Sequence, residues 1–180
     1  IVRDPRSVVK SYTNHQGMSL ELALKTLLEF SALTGLGKHT EKIEEKNKKI
    51  THVGSWASNY NSWKEFKKLD KYLLVKYEDL VFNTEKTFLK ILNFIFKLGG
   101  SQVQIDDKKL KNSIKSTTFT KMQKLEKEEG FNEEMKNIDD QKITFFKYGP
   151  KENDPNKLPK FLKDKIEKEF KTELEELNYL

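Results

Sequence analysis

Ile1-Val2-Arg3-Asp4-Pro5-Arg6-Ser7-Val8-Val9-Lys10-Ser11-Tyr12 opens the chain and carries most of the information about its fold. Ile1-Val2 is apolar and β-branched, and reads as the end of a strand. Asp4 is a natural N-cap and Pro5 a natural first helical residue, which predicts a helix from Pro5 to about Tyr12. A strand end followed at once by a helix N-terminus marks the ligand side of an open α/β sheet. Arg3 stands at that point. The helix start adds free N–H groups and a positive dipole end, and a guanidinium offers a planar fork matched to phosphate. Ser11, two turns into the helix, can donate one more hydrogen bond to the same anion. The plainer alternative pairs Arg3 with a carboxylate and leaves Ser11 as a small helix residue.

Outward from this stretch the signals are mostly helical. Gly17 breaks the chain and Ser19 caps a helix whose Leu20, Ala23, Leu24, Leu27 and Leu28 form one apolar stripe. Gly35 and Gly37 are expected to end it, and the Lys/Glu stretch 38–49 to be exposed. Gly54-Ser55 starts a helix with Trp56, Tyr60, Trp63 and Phe66 on one face, which reads as an aromatic core stripe. Tyr72-Leu73-Leu74-Val75-Lys76-Tyr77 predicts a strand buried on both faces. Asn83 or Thr84 caps a helix carrying Phe88, Leu89, Leu92 and Ile95. Helices near Asp107 to Ile114 and Thr118 to Lys127 follow, then a loop from Phe145 to Pro159. A final helix, Lys160 to Leu177, turns Leu162, Ile166, Phe170, Leu174 and Leu177 inward. Two strands among so many helices make an odd complete domain, because helices need a wider sheet to cover. The expectation is therefore the C-terminal part of a larger α/β domain.

Composition narrows the function classes. The chain has 180 residues and a formal charge of +6. All but two of its 34 cationic residues are Lys, the exceptions being Arg3 and Arg6. Lys alternates with Glu along predicted helices, the pattern of a solvated face, so the basic excess does not point to nucleic acid. With no Cys, disulfide scaffolds, thiolate catalysis and Cys-ligated metal sites are excluded. No metal cluster is visible. No apolar run approaches the roughly 18 residues of a membrane span.

Taken together, the opening stretch resembles the 3′-phosphate-binding segment of the sulfotransferase family, in which Arg, then Asn or Asp, Pro, and a Ser eight positions after the Arg follow a strand end. The resemblance gives the 3′-phosphate to Arg3 and Ser11. Four later segments are similar in the family's order. Gly54-Ser55-Trp56-Ala57-Ser58-Asn59-Tyr60-Asn61-Ser62-Trp63 resembles Gly-Ser-Trp-x-x-His-x-x-x-Trp, with Asn59 where His is common. Tyr77-Glu78-Asp79-Leu80 matches a turn whose Tyr contacts the nucleotide. Ser116-Thr117-Thr118-Phe119-Thr120-Lys121-Met122 resembles the stretch lining the adenine pocket, which assigns Thr117, Phe119 and Met122 to the base. Phe145-Phe146-Lys147-Tyr148-Gly149 stands where the family has Phe-x-Arg-Lys-Gly. Lys147 keeps a charge without the fork, Tyr148 drops the second cation, and Gly149 supplies backbone, so a retained but weakened phosphate contact is implied. The ending Leu177-Asn178-Tyr179-Leu180 echoes the family's C-terminal helix end.

The resemblance implies an α/β fold of three layers, with a central parallel sheet flanked by helices and helix-rich in this segment. It implies a single domain over residues 1–180, N-terminally incomplete. The implied reaction is sulfuryl transfer from 3′-phosphoadenosine-5′-phosphosulfate (PAPS) to an acceptor hydroxyl or amine, with 3′,5′-adenosine bisphosphate (PAP) as product and no metal. The acceptor is open among small molecule, carbohydrate and protein, and a homodimer is open as well. No Gly-rich phosphate loop occurs in the chain, and His15, His39 and His52 lie outside the positions of the family's base, so the catalytic base is unassigned and these residues alone are expected not to catalyse. A cytoplasmic location is expected, with the Golgi lumen as the other branch. The rival reading is a non-catalytic nucleotide- or protein-binding module on a degenerate version of the fold.

Overall fold

The computed structural model describes residues 1–34, 51–101, 104–130, 135–136, 141–149 and 154–180. Asp4 accepts a hydrogen bond from the Arg6 amide and Pro5 occupies the first turn, so helix α1 (Pro5–Gln16) begins where the sequence predicts. It runs a turn beyond Tyr12 and stops at Gly17, whose left-handed φ of 61° closes the helix onto the Thr13 and Asn14 carbonyls. Helix α2 (Leu20–Leu28) is capped by the Ser19 hydroxyl, which accepts from the Leu22 amide. Its Ala23 and Leu24 are buried, with Leu20, Leu27 and Leu28 packed at the margin.

This helix ends well before Gly35. Glu29 turns extended, and the chain is drawn into a short antiparallel ladder, β1 (Leu33–Thr34) with β2 (Thr51–His52). The Val53 and Gly54 amides both donate to the Ala32 carbonyl and close that ladder. Gly35, Gly37 and the Lys/Glu stretch lie outside the described residues.

Helix α3 (Trp56–Lys64) is capped by Ser55 and passes into a 3-10 turn, Glu65–Leu69. Tyr60 is buried, but Trp63 and Phe66 are 60% and 43% exposed. The expected aromatic core stripe is thus only half core. Trp56 and Tyr60 face the protein, whereas Trp63 and Phe66 lean on one another (ring centroids 5.8 Å apart) beside an open cavity.

The predicted strand at Tyr72–Tyr77 is reduced to one parallel bridge, Val2 with Lys76. Two backbone bonds make it: the Val2 amide donates to the Val75 carbonyl (2.8 Å) and the Tyr77 amide to the Val2 carbonyl (2.7 Å). Tyr77 then opens helix α4 (Tyr77–Phe82) instead of closing a strand. Among the described residues no further strand joins this pair, so the fold is helix-rich with little strand and the expected central sheet is not seen. An isolated pair of strands has little stability of its own, and here the pairing stops after two backbone bonds.

Helix α5 (Thr84–Leu98) follows, with Thr87 as its buried residue. Ile95 and Leu98 of its apolar face are exposed. Helix α6 (Asp107–Ser116) is capped by Asp106, and helix α7 (Phe119–Glu129) begins three residues after it ends. A second antiparallel pair joins β3 (Met135–Lys136) to β4 (Lys142–Ile143).

The expected long C-terminal helix is two helices, α8 (Lys160–Glu169) and α9 (Lys171–Glu176), divided at Phe170. The inward stripe survives the division, because the Leu174 amide still donates to the Phe170 carbonyl (2.9 Å). Leu162, Ile166, Phe170, Leu174 and Leu177 are all buried. With Val9, Ala23, Leu24 and Leu158 most of them form the core, so α1 is gripped between α2 and the C-terminal helices. That grip fixes the N-terminal turn of α1, and with it Arg3.

Candidate functional site

The two arginines of the first turn have opposite surroundings. Arg6 is buried and its charge is fully matched: Asp4 accepts two-pronged (2.7 Å at Nη2), Glu167 accepts at Nη1 (2.5 Å), and the Tyr179 carbonyl accepts at Nη2 (2.8 Å). The hydrogen bond to Asp4 outweighs the desolvation of burial and holds the guanidinium above its ordinary pKa. Arg6 is therefore a structural ion-pair centre.

Arg3 has no such partner. Its guanidinium lies over the Tyr77 ring, 4.2 Å from the centroid, and its buried Nε has no hydrogen-bond partner among the described residues. The plainer alternative, Arg3 paired with a carboxylate, is not what the structure shows among those residues. A buried guanidinium donor without an acceptor costs roughly 1–3 kcal/mol, a cost that an anion at this spot would relieve. Two groups hold the main chain around it: Trp56 Nε1 donates to the Arg3 carbonyl (3.1 Å), and the Asp4 amide donates to Glu78 Oε1 (3.3 Å). Ser11 is half-buried on α1, one turn beyond the buried Ser7 and on the same face.

A second cluster surrounds the segment 141–149. Glu126 of α7 accepts from the Phe145 and Phe146 amides, and Gln123 donates to the Phe146 carbonyl (2.8 Å). Asn14 of α1 donates to the Thr144 carbonyl (3.1 Å), and His15 meets the Phe145 ring edge-on at 5.4 Å. These bonds place Gly149 against Phe119: a side-chain carbon at Gly149 would stand 3.5 Å from the Phe119 ring. Phe146 packs edge-on to Phe119. Lys10, the residue before Ser11, reaches 5.1 Å from the Tyr148 ring, and Lys147 reaches 5.4 Å from the same ring.

The structure thus gathers the sequence-predicted residues into two groups. Arg3 and Tyr77 touch at the start of α1. Phe119, Lys147, Tyr148 and Gly149 assemble beside its middle, where Lys10 approaches the Tyr148 ring. Met122 is half-buried one turn along α7 from Phe119. Thr117 stands apart, exposed, its hydroxyl donating to the Ser113 carbonyl of α6 (3.0 Å). Sequence reasoning missed Lys10, Glu78, Gln123 and Glu126. Lys10, beside Ser11 in the opening stretch, and Glu78, beside Tyr77 in its motif, stood next to named residues, whereas Gln123 and Glu126 carried no visible signal.

A cavity of about 870 Å³ meets this site at Arg3. Its wall is mainly apolar, formed by Val8, Leu27, Trp56, Tyr60, Leu74 and Phe94, with Tyr12 and His15 near the α1 side. No group of His, Asp or Glu side chains suited to a metal ion occurs among the described residues, and no helix there is long and apolar enough to cross a membrane.

A family model described as the sulfotransferase domain matches residues 1–178. Neither the curated proteins nor the solved structures give a match.

Proposed function

Since the chain belongs to the sulfotransferase family, a family of transferases, we propose that it recognises the 3′-phosphate and adenine of PAPS. The observation that carries this reading is Arg3: a half-buried guanidinium, stacked on Tyr77, whose buried Nε is an unanswered donor at the head of a helix. That environment suits a dianionic phosphate, which would complete the bonding of Arg3 and draw on the Ser11 hydroxyl and the Lys10 charge. Phe119, backed by Gly149 and Phe146, offers a flat face to a purine, with Met122 beside it. Lys147 and Tyr148 border the same group with one cation where the family carries two, which supports a weaker grip.

PAPS, when bound, supplies the sulfuryl group: a bond forms from the acceptor oxygen or nitrogen to sulfur, and the bond from sulfur to the 5′-phosphate oxygen breaks, releasing PAP. The residues of this chain hold the nucleotide's far end and fix its direction, which contributes orientation to an in-line transfer. The loop that grips the phosphosulfate and the base that takes the acceptor proton are to be sought outside these 180 residues, within a larger three-layer domain whose central sheet would extend the Val2–Lys76 pair.

Calorimetry with PAP tests the reading. The expected result is saturable binding that Arg3→Ala abolishes or weakens at least tenfold, with the fold intact by circular dichroism. Binding that ignores Arg3→Ala would sink it and favour the non-catalytic module.

A further inference from the structure

Tyr179 is bonded at one end to the turn that follows Arg3 and at the other to the helix that begins at Tyr77. Its hydroxyl donates to Glu78 Oε2 (2.7 Å) and its carbonyl accepts from Arg6 Nη2 (2.8 Å). The other oxygen of the same carboxylate, Glu78 Oε1, accepts from the Asp4 amide (3.3 Å). Glu78 adjoins Tyr77, the ring on which Arg3 stacks, and Asp4 adjoins Arg3 itself. Lys76 adds a third tie, with Nζ donating to the Leu177 carbonyl and standing 4.8 Å from the Tyr179 ring. Burial and the neighbouring Glu78 carboxylate push the Tyr179 phenol well above its ordinary pKa.

The arrangement has a mechanical consequence. Backbone bonds at Val2 join the two loops on one side of the Arg3–Tyr77 pair. On the other side the hydrogen-bonded link among the described residues is the Glu78 carboxylate, and a glutamate with one oxygen unheld can rotate away from the Asp4 amide. Tyr179 holds that second oxygen. We infer that Tyr179 and Glu78 are positioning residues, which set the angle between the Arg3 guanidinium and the Tyr77 ring and so determine the grip on the 3′-phosphate. The inference rests on the nucleotide reading above. It adds a role for the C-terminal Tyr in ligand discrimination.

The experiment uses the whole chain as wild type, Tyr179→Phe, Glu78→Gln and the double variant. Each is titrated by calorimetry with PAP and with adenosine 5′-monophosphate, and each is melted. The ratio of the two affinities reads the contribution of the 3′-phosphate. Tyr179→Phe keeps the ring and the carbonyl bonded to Arg6, so the melting point should fall by only a few degrees and the monophosphate affinity should hold. The ratio should fall roughly three- to tenfold, the size of one ordinary net hydrogen bond. Glu78→Gln leaves one acceptor oxygen where two are used and should lower the ratio likewise, with the double variant no worse than the more severe single one. An unchanged ratio in both single variants overturns the positioning role while leaving the nucleotide reading standing. A parallel fall of both affinities with the melting point also overturns it, by showing support of the fold alone. A wild type that binds both nucleotides equally takes the 3′-phosphate reading down with it.

Discussion

Two arginines three residues apart do different work, and the difference is one of partners rather than of position. Arg6 is spent on the protein itself: Asp4, Glu167 and the Tyr179 carbonyl occupy its donors. Removing one member of a buried ion pair leaves the other charge unmatched, at a cost of about 3–5 kcal/mol. Arg6→Ala should therefore lower the melting temperature sharply in a calorimetric scan. Arg3 predicts the reverse pattern. Arg3→Lys keeps the charge but loses the planar fork and the flat stacking on Tyr77. It should leave the melting temperature within a few degrees and weaken PAP binding about tenfold, roughly 1.4 kcal/mol. A lysine that restores wild-type affinity would show that charge alone is read at this position.

At the scale of elements, what the sequence discloses and what it hides follow from the range of the forces involved. Helix starts at Asp4, Ser19 and Ser55 were legible because each cap bonds an amide two or three residues away. The C-terminal stripe was legible too, since Leu162, Ile166, Phe170, Leu174 and Leu177 keep helical spacing across the division at Phe170. The end of α2, the exposure of Trp63 and the loss of the Tyr72–Tyr77 strand were not legible. Each depends on a neighbour far along the chain or on strands not seen among the described residues. The site divides in the same way. Arg3 and Tyr77 could be named from motif residues, whereas Glu126 and Gln123, which hold the 141–149 segment, serve only backbone groups and leave no pattern.

Ile166 gives this packing a number. It is fully buried on α8 in the cluster that clasps α1, so Ile166→Ala removes methyl groups and leaves a cavity between three helices. The expected loss is about 2–5 kcal/mol in denaturant unfolding. Because α1 is held by that cluster, PAP binding should weaken in the same variant only to the extent that the folded fraction falls. A specific loss at full folding would mean that α8 shapes the site directly.

The molecule as a whole is closed by contacts between its N-terminal and C-terminal segments, and several of these use phenols. Burial raises the pKa of Tyr12 on α1, and burial with the nearby Glu176 carboxylate raises that of Tyr60 on α3. Burial likewise raises Tyr72, and burial with the hydrogen bond to Glu78 raises Tyr179. Each phenol is thus harder to ionise folded than unfolded, where the ordinary value is 10.0. The sign follows from linkage: the stabilisation is complete below that value and is lost as pH rises above it, because the unfolded chain releases protons that the folded chain retains. Ionising Tyr60 or Tyr179 in place would also set a phenolate beside a carboxylate. Release of these protons is therefore coupled to opening of the contacts that Tyr60 and Tyr179 make with α9 and the Arg3 turn. An alkaline titration should show the late part of the tyrosinate absorbance rising together with loss of helical circular dichroism. Tyr12→Phe tests the linkage most cleanly, since burial alone shifts that phenol. It should move the alkaline unfolding midpoint to higher pH, and a midpoint unmoved by Tyr12→Phe would place the alkaline weakness in other groups.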